Sequence, residues 1–124
     1  MKYTSEFDSV IGICTVRVTG EYRRPEDSDT LKRFAVDFFT EHQCHLFLID
    51  MTKTEVIGGI MSTFSAAAPR NELAQLLRKI KTAFVPKELT VNDHFFENVA
   101  VNRGFLVHAF DKLDKAVEWL KQSE

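Results

Sequence analysis

The sequence is poor in the residues and runs that mark several large classes of protein. Its two cysteines, Cys14 and Cys44, are too few for a disulfide framework and lie outside any Cys-x-x-Cys spacing. The first residues lack the apolar stretch of a signal peptide, and no apolar run approaches the roughly 18 residues that a membrane-spanning helix needs. We therefore expect a water-soluble, cytoplasmic protein in which both cysteines are buried as small apolar side chains.

An excess of charge of one sign is also missing. Lysine and arginine number 16 and aspartate and glutamate 18, so the formal net charge is only -2 at pH 7. Proteins that neutralise the phosphates of nucleic acid usually carry a basic face or stripe. We therefore expect no nucleic-acid partner.

The motifs of common enzyme sites are absent as well. There is no Gly-x-Ser-x-Gly turn for a nucleophilic serine, and Gly58-Gly59 lacks the lysine and flanking glycines of a phosphate-binding loop. His42, Cys44 and His45 lie too close in sequence to surround a tetrahedral metal ion without a distant fourth ligand. We expect a protein that is not an enzyme and that binds neither a metal nor another cofactor.

Phenylalanine, by contrast, is abundant. The chain has 11 phenylalanines, and 44% of its 124 residues are hydrophobic. A chain of this length can bury roughly two-thirds of the surface that its unfolded form exposes. Because no linker, repeat or low-complexity tract divides it, we expect residues 1–124 to form a single domain with a sizeable core.

Apolar periodicity predicts strands that alternate with helices. In the second strand Cys14, Val16 and Val18 alternate with polar residues, and Gly20 is expected to end it. Pro25, followed by acidic residues, predicts the start of the first helix. The predicted elements are strands at 2–7 and 10–18, a helix after Pro25, a strand at 46–50, a short helix within 56–69, a helix at 70–80, a strand at 82–85, a helix at 91–103, a strand at 105–110 and a C-terminal helix.

The run Leu46-Phe47-Leu48-Ile49 is apolar at every position, which is typical of a strand covered by helices on both faces. We predict that it lies in the middle of the sheet. Strands separated by helices imply crossover connections and a largely parallel sheet, to which the N-terminal hairpin adds an antiparallel edge. The predicted fold class is α/β, with a mostly parallel mixed sheet of about five strands and the order β-β-α-β-α-α-β-α-β-α.

Four short motifs in this order resemble a known family. They are Gly20-Glu21-Tyr22 after the second strand, Leu48 to Thr52 around Asp50, residues 96–104 at a helix end, and residues 115–120 near the C-terminus. Together they are similar to the SpoIIAA-like branch of the STAS superfamily, whose domains have also been compared with CRAL-TRIO lipid-transfer domains. The resemblance spans nearly the whole chain and implies a STAS fold.

The best-known members of that family, the anti-sigma-factor antagonists, carry a switch serine in an Asp-Ser-Ser-Gly turn after the central strand. The corresponding residues 56–61 of this chain offer neither the acidic residue nor the hydroxyl. Thr54, Ser62 and Thr63 lie nearby and provide hydroxyl groups that could replace it. A phosphorylation-regulated antagonist of this type is therefore the alternative hypothesis for function.

The main hypothesis is a non-catalytic binding module for an apolar or lipid-like molecule. The apolar, glycine-bearing segment 56–69 is predicted to act as a mobile lid opposite an aromatic helix, although ordinary core packing explains the same pattern. Asp50 either contacts the ligand or caps a turn, and Asn102 with Arg103 either holds an anionic group or ties down a helix end. The candidate ligand-binding residues are Asp50, Ile57, Met61, Phe64, Phe95, Phe96, Asn102 and Arg103.

Three kinds of macromolecular contact are also expected. The middle of the chain is locally basic and could meet anionic lipid head groups in a peripheral membrane contact, or could simply complement a helix dipole. A protein partner is expected of an interaction module. An exposed strand edge or helix face on so small a domain favours a homodimer. The basic residues concerned are Arg70, Arg78, Lys79, Lys81 and Lys87.

Overall fold

A computed structural model describes residues 1–68 and 73–122 of the chain. Its strands and helices follow one another in the predicted order. The strands are β1 (Lys2–Asp8), β2 (Ile13–Arg23), β3 (Leu46–Ile57), β4 (Lys81–Pro86) and β5 (Leu106–Ala109). The helices are α1 (Glu26–His42), α2 (Ile60–Ala67), α3 (Leu73–Leu77), α4 (Val91–Asn102) and α5 (Leu113–Lys121).

The five strands form one mixed sheet in the order β1-β2-β3-β4-β5. β1 pairs with β2 in the antiparallel sense, and the other three pairs are parallel. Each parallel pair is connected by at least one helix, as crossover connections require. The predicted fold class and the central position of β3 are both confirmed.

Helices cover β3 on both faces, which explains its uninterrupted apolar run. Phe47 and Ile49 belong to the larger core cluster, which α1, α2, α3 and α4 complete. Leu48 points to the opposite face and joins a smaller cluster with Ala116 and Leu120 of α5. The side-chain period of two therefore places alternate residues of β3 in two separate cores.

The first helix begins where the sequence predicts. α1 starts directly after Pro25 and carries Glu26, Asp27 and Asp29 in its first turn, where carboxylates favour the positive end of the helix dipole. Gln43 caps its C-terminal end with a left-handed φ of 58°. A residue in the left-handed conformation commonly ends a helix.

Two predicted strand ends are wrong, because both strands are longer than the local sequence suggests. β2 continues past Gly20 to Arg23, and β3 continues past Asp50 to Ile57. The two extensions pair with each other from Thr19 onward, so each supplies the hydrogen-bonding partner of the other. Tertiary pairing thus overrides the local signal of a glycine and an aspartate.

Other boundaries differ by smaller amounts. Val10 lies in the turn between β1 and β2 rather than in the strand, and it is exposed to solvent. The helix predicted at 70–80 is represented by the five residues of α3, and its predicted first residues lie outside the described ranges. Cys14 and Cys44 are buried as predicted, and burial raises the pKa of the Cys14 thiol to about 11.

We expect Phe47→Ala to lower the free energy of unfolding by about 3–5 kcal/mol, because the ring is fully buried in the middle of the sheet. Urea unfolding followed by circular dichroism measures the change. Val91→Ala, at an exposed helix position, is the control and should change the value by less than about 0.5 kcal/mol. Equal effects of the two substitutions would contradict the central position of Phe47.

Candidate functional site

An apolar cavity of about 110 Å³ lies between the sheet and the helices of its larger core. One water molecule needs only about 10–15 Å³ of such space, so the cavity has room for a small organic molecule. Strands β3 and β4 form its floor, and α1, α2, α3 and α4 form its walls. The apolar lining includes Phe47, Ile49, Met51, Phe84, Leu31, Ala35, Ala66, Ala67, Leu77, Phe96 and Ala100.

Small side chains create this space. Ala66 and Ala67 are the buried residues through which α2 meets the cavity, while Ala35 of α1 and Ala100 of α4 lie on other walls. Because alanine fills far less volume than leucine or phenylalanine, three helices can sit on the sheet without closing the space between them.

Polar groups line one part of the wall. The Tyr22 hydroxyl donates a hydrogen bond to Ser28 Oγ at 2.8 Å, and both residues are buried. Burial raises the pKa of Tyr22 to about 12, so its phenol is neutral at physiological pH. The pair offers a hydroxyl dipole to whatever occupies the cavity.

Lys32 brings a largely buried ammonium group to the same wall. Its Nζ donates to the backbone carbonyl of Ala66 in α2 and lies 3.6 Å from Asp29 Oδ1. Burial is the main reason that the pKa of Lys32 lies below its usual value. Lys32 therefore ties α1 to α2 and places a positive charge beside an apolar space.

Arg24 is the most unusual of the polar residues. Its Nη2 donates to Asp93 Oδ1 at 3.2 Å, and both side chains are only 3% exposed. The guanidinium also lies 4.7 Å from the centre of the Phe96 ring. Arg24 Nε is buried and has no hydrogen-bond partner among the described residues. A buried donor without an acceptor is costly.

Asp93 holds Arg24 and the start of α4 at once. Its second oxygen, Oδ2, accepts hydrogen bonds from the backbone N and the hydroxyl of Thr90, both at 3.0 Å. The Thr90 hydroxyl in turn accepts from Asp93 N, which completes a capping box. The ion pair thus fixes Arg24 to a well-capped helix end.

A second, more open groove lies on the other side of Arg24. It has a volume of about 450 Å³ and lies at the carboxyl ends of β3 and β4, where open α/β sheets usually bind ligands. Its lining includes Arg24, Thr54, Glu55, Gly58, Lys87, Thr90, Asn92 and Asp93. Arg24 therefore separates an apolar cavity from a polar groove.

No family model matches the sequence, and no curated protein sequence matches it either. The structure is similar to that of an uncharacterised protein of the DUF3478 family with a SpoIIAA-like fold from Shewanella loihica PV-4. The two chains are 11% identical, with a TM-score of 0.54 and coverage of 96% of this chain and 92% of the other. This chain has a SpoIIAA-like fold.

Within this SpoIIAA-like fold, Phe96 alone of the eight predicted ligand-binding residues lines the apolar cavity, where it packs edge-on against Phe84. Asp50 lies inside β3, and its Oδ1 accepts from the backbone N of Thr52 at 3.0 Å and from its hydroxyl at 2.7 Å. These bonds form where the β2–β3 register shifts. They match the interpretation of Asp50 as a backbone cap, within a strand rather than in a turn.

The other predicted residues of the SpoIIAA-like fold lie outside the cavity lining. Arg103 stacks over the Phe64 ring with 5.2 Å between its guanidinium carbon and the ring centre. Ile57 ends β3, and its carbonyl accepts from Arg24 N at 3.0 Å. Met61 is exposed on α2. The remaining two are on α4, where Phe95 is half-buried and Asn102 is exposed.

Sequence analysis missed Tyr22, Arg24 and Lys32 in the cavity lining, and it missed Asp93, which pairs with Arg24. Arg24 and Asp93 are 69 positions apart, and the capping-box spacing of Thr90 and Asp93 gives no local sign that Asp93 meets Arg24. Tyr22 did have a signal in the sequence. It is the aromatic residue of Gly20-Glu21-Tyr22, which supported the family resemblance but was not assigned to the site. Only the folded chain brings these groups together.

The remaining predictions concern metal ions and membranes. In residues 1–68 and 73–122 no group of three or more histidine, cysteine, aspartate or glutamate side chains is arranged to hold a metal ion. No helix in these ranges is long and apolar enough to cross a membrane. The basic residues are dispersed: Lys81 is buried, and Lys79 and Lys87 lie beyond opposite ends of β4.

We expect Arg24→Met to lower the free energy of unfolding by about 3–5 kcal/mol, because it leaves the Asp93 carboxylate buried without its cation. Arg23→Met is a matched control at the adjacent position, where the arginine pairs with Glu21 at the surface, and it should cost less than about 1 kcal/mol. Denaturant unfolding of both variants measures the difference. Equal losses would show that the buried pair has no special role.

Proposed function

We propose that this chain is a non-catalytic module that binds a small apolar molecule carrying an acidic or hydrogen-bond-accepting group. The observation that carries the proposal is the apolar cavity whose lining includes the polar side chains of Arg24, Lys32 and Tyr22. Ligand pockets commonly combine apolar walls with a few polar groups that fix the orientation of the ligand. The arrangement at Arg24, Lys32 and Tyr22 has this composition.

The chemistry of the wall selects the ligand class. The aromatic and aliphatic lining favours a hydrocarbon body, because burying apolar surface releases about 25 cal/mol per Å². The cations of Arg24 and Lys32 favour a carboxylate or similar group at one end. A fatty acid of short or medium length has both parts and is the lipid-like ligand that we propose.

We propose that α2 controls access to the cavity. This helix contributes Ala66 and Ala67 to the lining and is held to α1 by the bond from Lys32 to the Ala66 carbonyl. It is preceded by Gly58, whose φ of 153° is one that residues with a side chain rarely adopt. We propose that α2 moves as a lid when the ligand enters, with the two glycines at 58 and 59 as the hinge.

We propose that an exposed apolar patch at the start of α2 and α4 makes peripheral contact with a lipid surface. Ile60, Met61 and Val91 are 62%, 77% and 85% exposed. The side-chain amide of Asn92 donates to the Gly58 carbonyl at 3.2 Å, which holds the two helix starts together. Apolar side chains at the entrance of a lid would contact the membrane from which a lipid-like ligand is drawn.

We expect decanoic acid to bind saturably and with one molecule per chain, as measured by native mass spectrometry and calorimetry. Lys32→Met should weaken the binding of decanoic acid at least roughly tenfold, because it removes a charge-assisted contact and keeps the length of the side chain. Decanol binding should change little in the same variant. Lys53→Met, at an exposed site on β3, is the control. Absence of saturable binding to the wild-type chain would refute the proposal.

A phosphorylation-regulated partner of the anti-sigma-factor-antagonist type is the second candidate, and the position of Ser62 favours it. Thr54 and Thr63 are buried, whereas Ser62 is only half-buried. A Cβ placed on Gly58 would lie 3.3 Å from both Arg24 Cβ and Ser62 Cβ, so these residues flank the same glycine. A phosphate near a helix start and an arginine gains favourable charge interactions.

This candidate predicts a phosphate on Ser62 in protein isolated from cells, detected by peptide mass spectrometry. Ser62→Ala should remove the modified peptide, whereas Ser65→Ala, at an exposed position of the same helix, should leave it intact. Absence of phosphate on every serine and threonine between Thr52 and Ser65 would dispose of the candidate.

A further inference from the structure

The first strand forms an open edge of the sheet. β1 pairs along one side with β2, and all seven of its residues are exposed. Its other side has no strand partner among the described residues. An edge of this length presents a row of backbone donors and acceptors on which another strand can pair.

The sequence of β1 is complementary to itself when it is read in the opposite direction. About Ser5 as the centre, Lys2 stands opposite Asp8, Tyr3 opposite Phe7 and Thr4 opposite Glu6. Opposite charges and aromatic pairs are the combinations that stabilise directly opposed residues in antiparallel strands. No equal charges oppose each other in this register.

We propose that a second copy of this chain pairs with β1 in the antiparallel sense, with the two Ser5 residues at a two-fold axis, so that one sheet continues through both copies. Each contact then occurs twice, as the symmetry of an isologous dimer demands. In this register even-numbered residues face even-numbered residues, and odd-numbered residues face odd-numbered ones. Outward-pointing backbone groups of one copy therefore meet outward-pointing groups of the other.

The position of the aromatic side chains supports this register. Tyr3 packs edge-on against Phe34 at 5.6 Å, and Phe7 against Phe38 at 5.4 Å, so both lie on the α1 side of the sheet. Residues that face each other across antiparallel strands point to the same side of the sheet. Tyr3 of one copy therefore meets Phe7 of the other, and the dimer covers two rings that are 37% and 39% exposed.

The charged side chains lie on the opposite side of β1 and complete the pattern. Glu6 forms an ion pair with Arg17 of β2 at 3.3 Å. Lys2 and Asp8 are at the two ends of the strand, so a dimer brings each lysine to the aspartate of the other copy. The other edge strand, β5, has only four residues, Leu106-Val107-His108-Ala109, and lacks such complementarity.

Cysteine cross-linking tests the proposed register. Two residues directly opposite each other have Cβ atoms roughly 4.5–5.5 Å apart, and Cα distances that a disulfide can span, so Ser5→Cys should form a covalent dimer under mild oxidation. In Thr4→Cys the two new thiols are on diagonal positions, and cross-linking should be at least roughly tenfold slower. The native Cys14 and Cys44 are buried and do not compete.

Sedimentation velocity over a range of concentrations tests the dimer itself. Lys2→Glu places acidic residues opposite each other at both ends of the interface and should raise the dissociation constant roughly tenfold. Lys53→Glu makes the same change in net charge on β3 and should leave it unaffected. A wild-type chain that sediments as a monomer throughout, or Thr4→Cys that cross-links as fast as Ser5→Cys, would overturn the proposal.

Discussion

The burial of β3 on both faces is the constraint on which the rest of the structure depends. Its run Leu46 to Ile49 is apolar at every position and must be shielded on both faces, and each large side chain that it buries contributes about 1.5–3 kcal/mol. Helices α1 to α4 shield one face and α5 the other. The crossovers that carry these helices make the neighbouring strands parallel, so their carboxyl ends meet at one edge of the sheet.

The cavity and its polar wall follow from how that larger face is covered. Alanines on three helices leave space above the sheet, and Arg24 enters from the loop between β2 and α1. A buried ion pair is weak support for stability, since apolar replacements of similar volume often serve as well. Folding alone therefore does not account for the Arg24–Asp93 pair, and it leaves Arg24 Nε without a hydrogen-bond partner among the described residues.

The order of elements could be predicted because periodicity is a local property. The apolar stripe of α1 and the apolar run of β3 can each be recognised from a short stretch of sequence. The extension of β2 past Gly20 could not be predicted, since its cause is the pairing with residues of β3 more than 30 positions away, such as that of Tyr22 with Val56. Phe96 was predicted for the site because aromatic residues are conspicuous, whereas isolated charges such as Arg24 and Asp93 are not.

The amino-acid sequence by itself determined the sequence of strands and helices, the central place of β3 and the burial of its cysteines, because these depend on the spacing of apolar residues along the chain. Only the tertiary structure decided which polar groups share a wall with the cavity. Arg24 and Asp93 meet across 69 positions, and such an encounter depends on how helices pack over the sheet rather than on any local pattern.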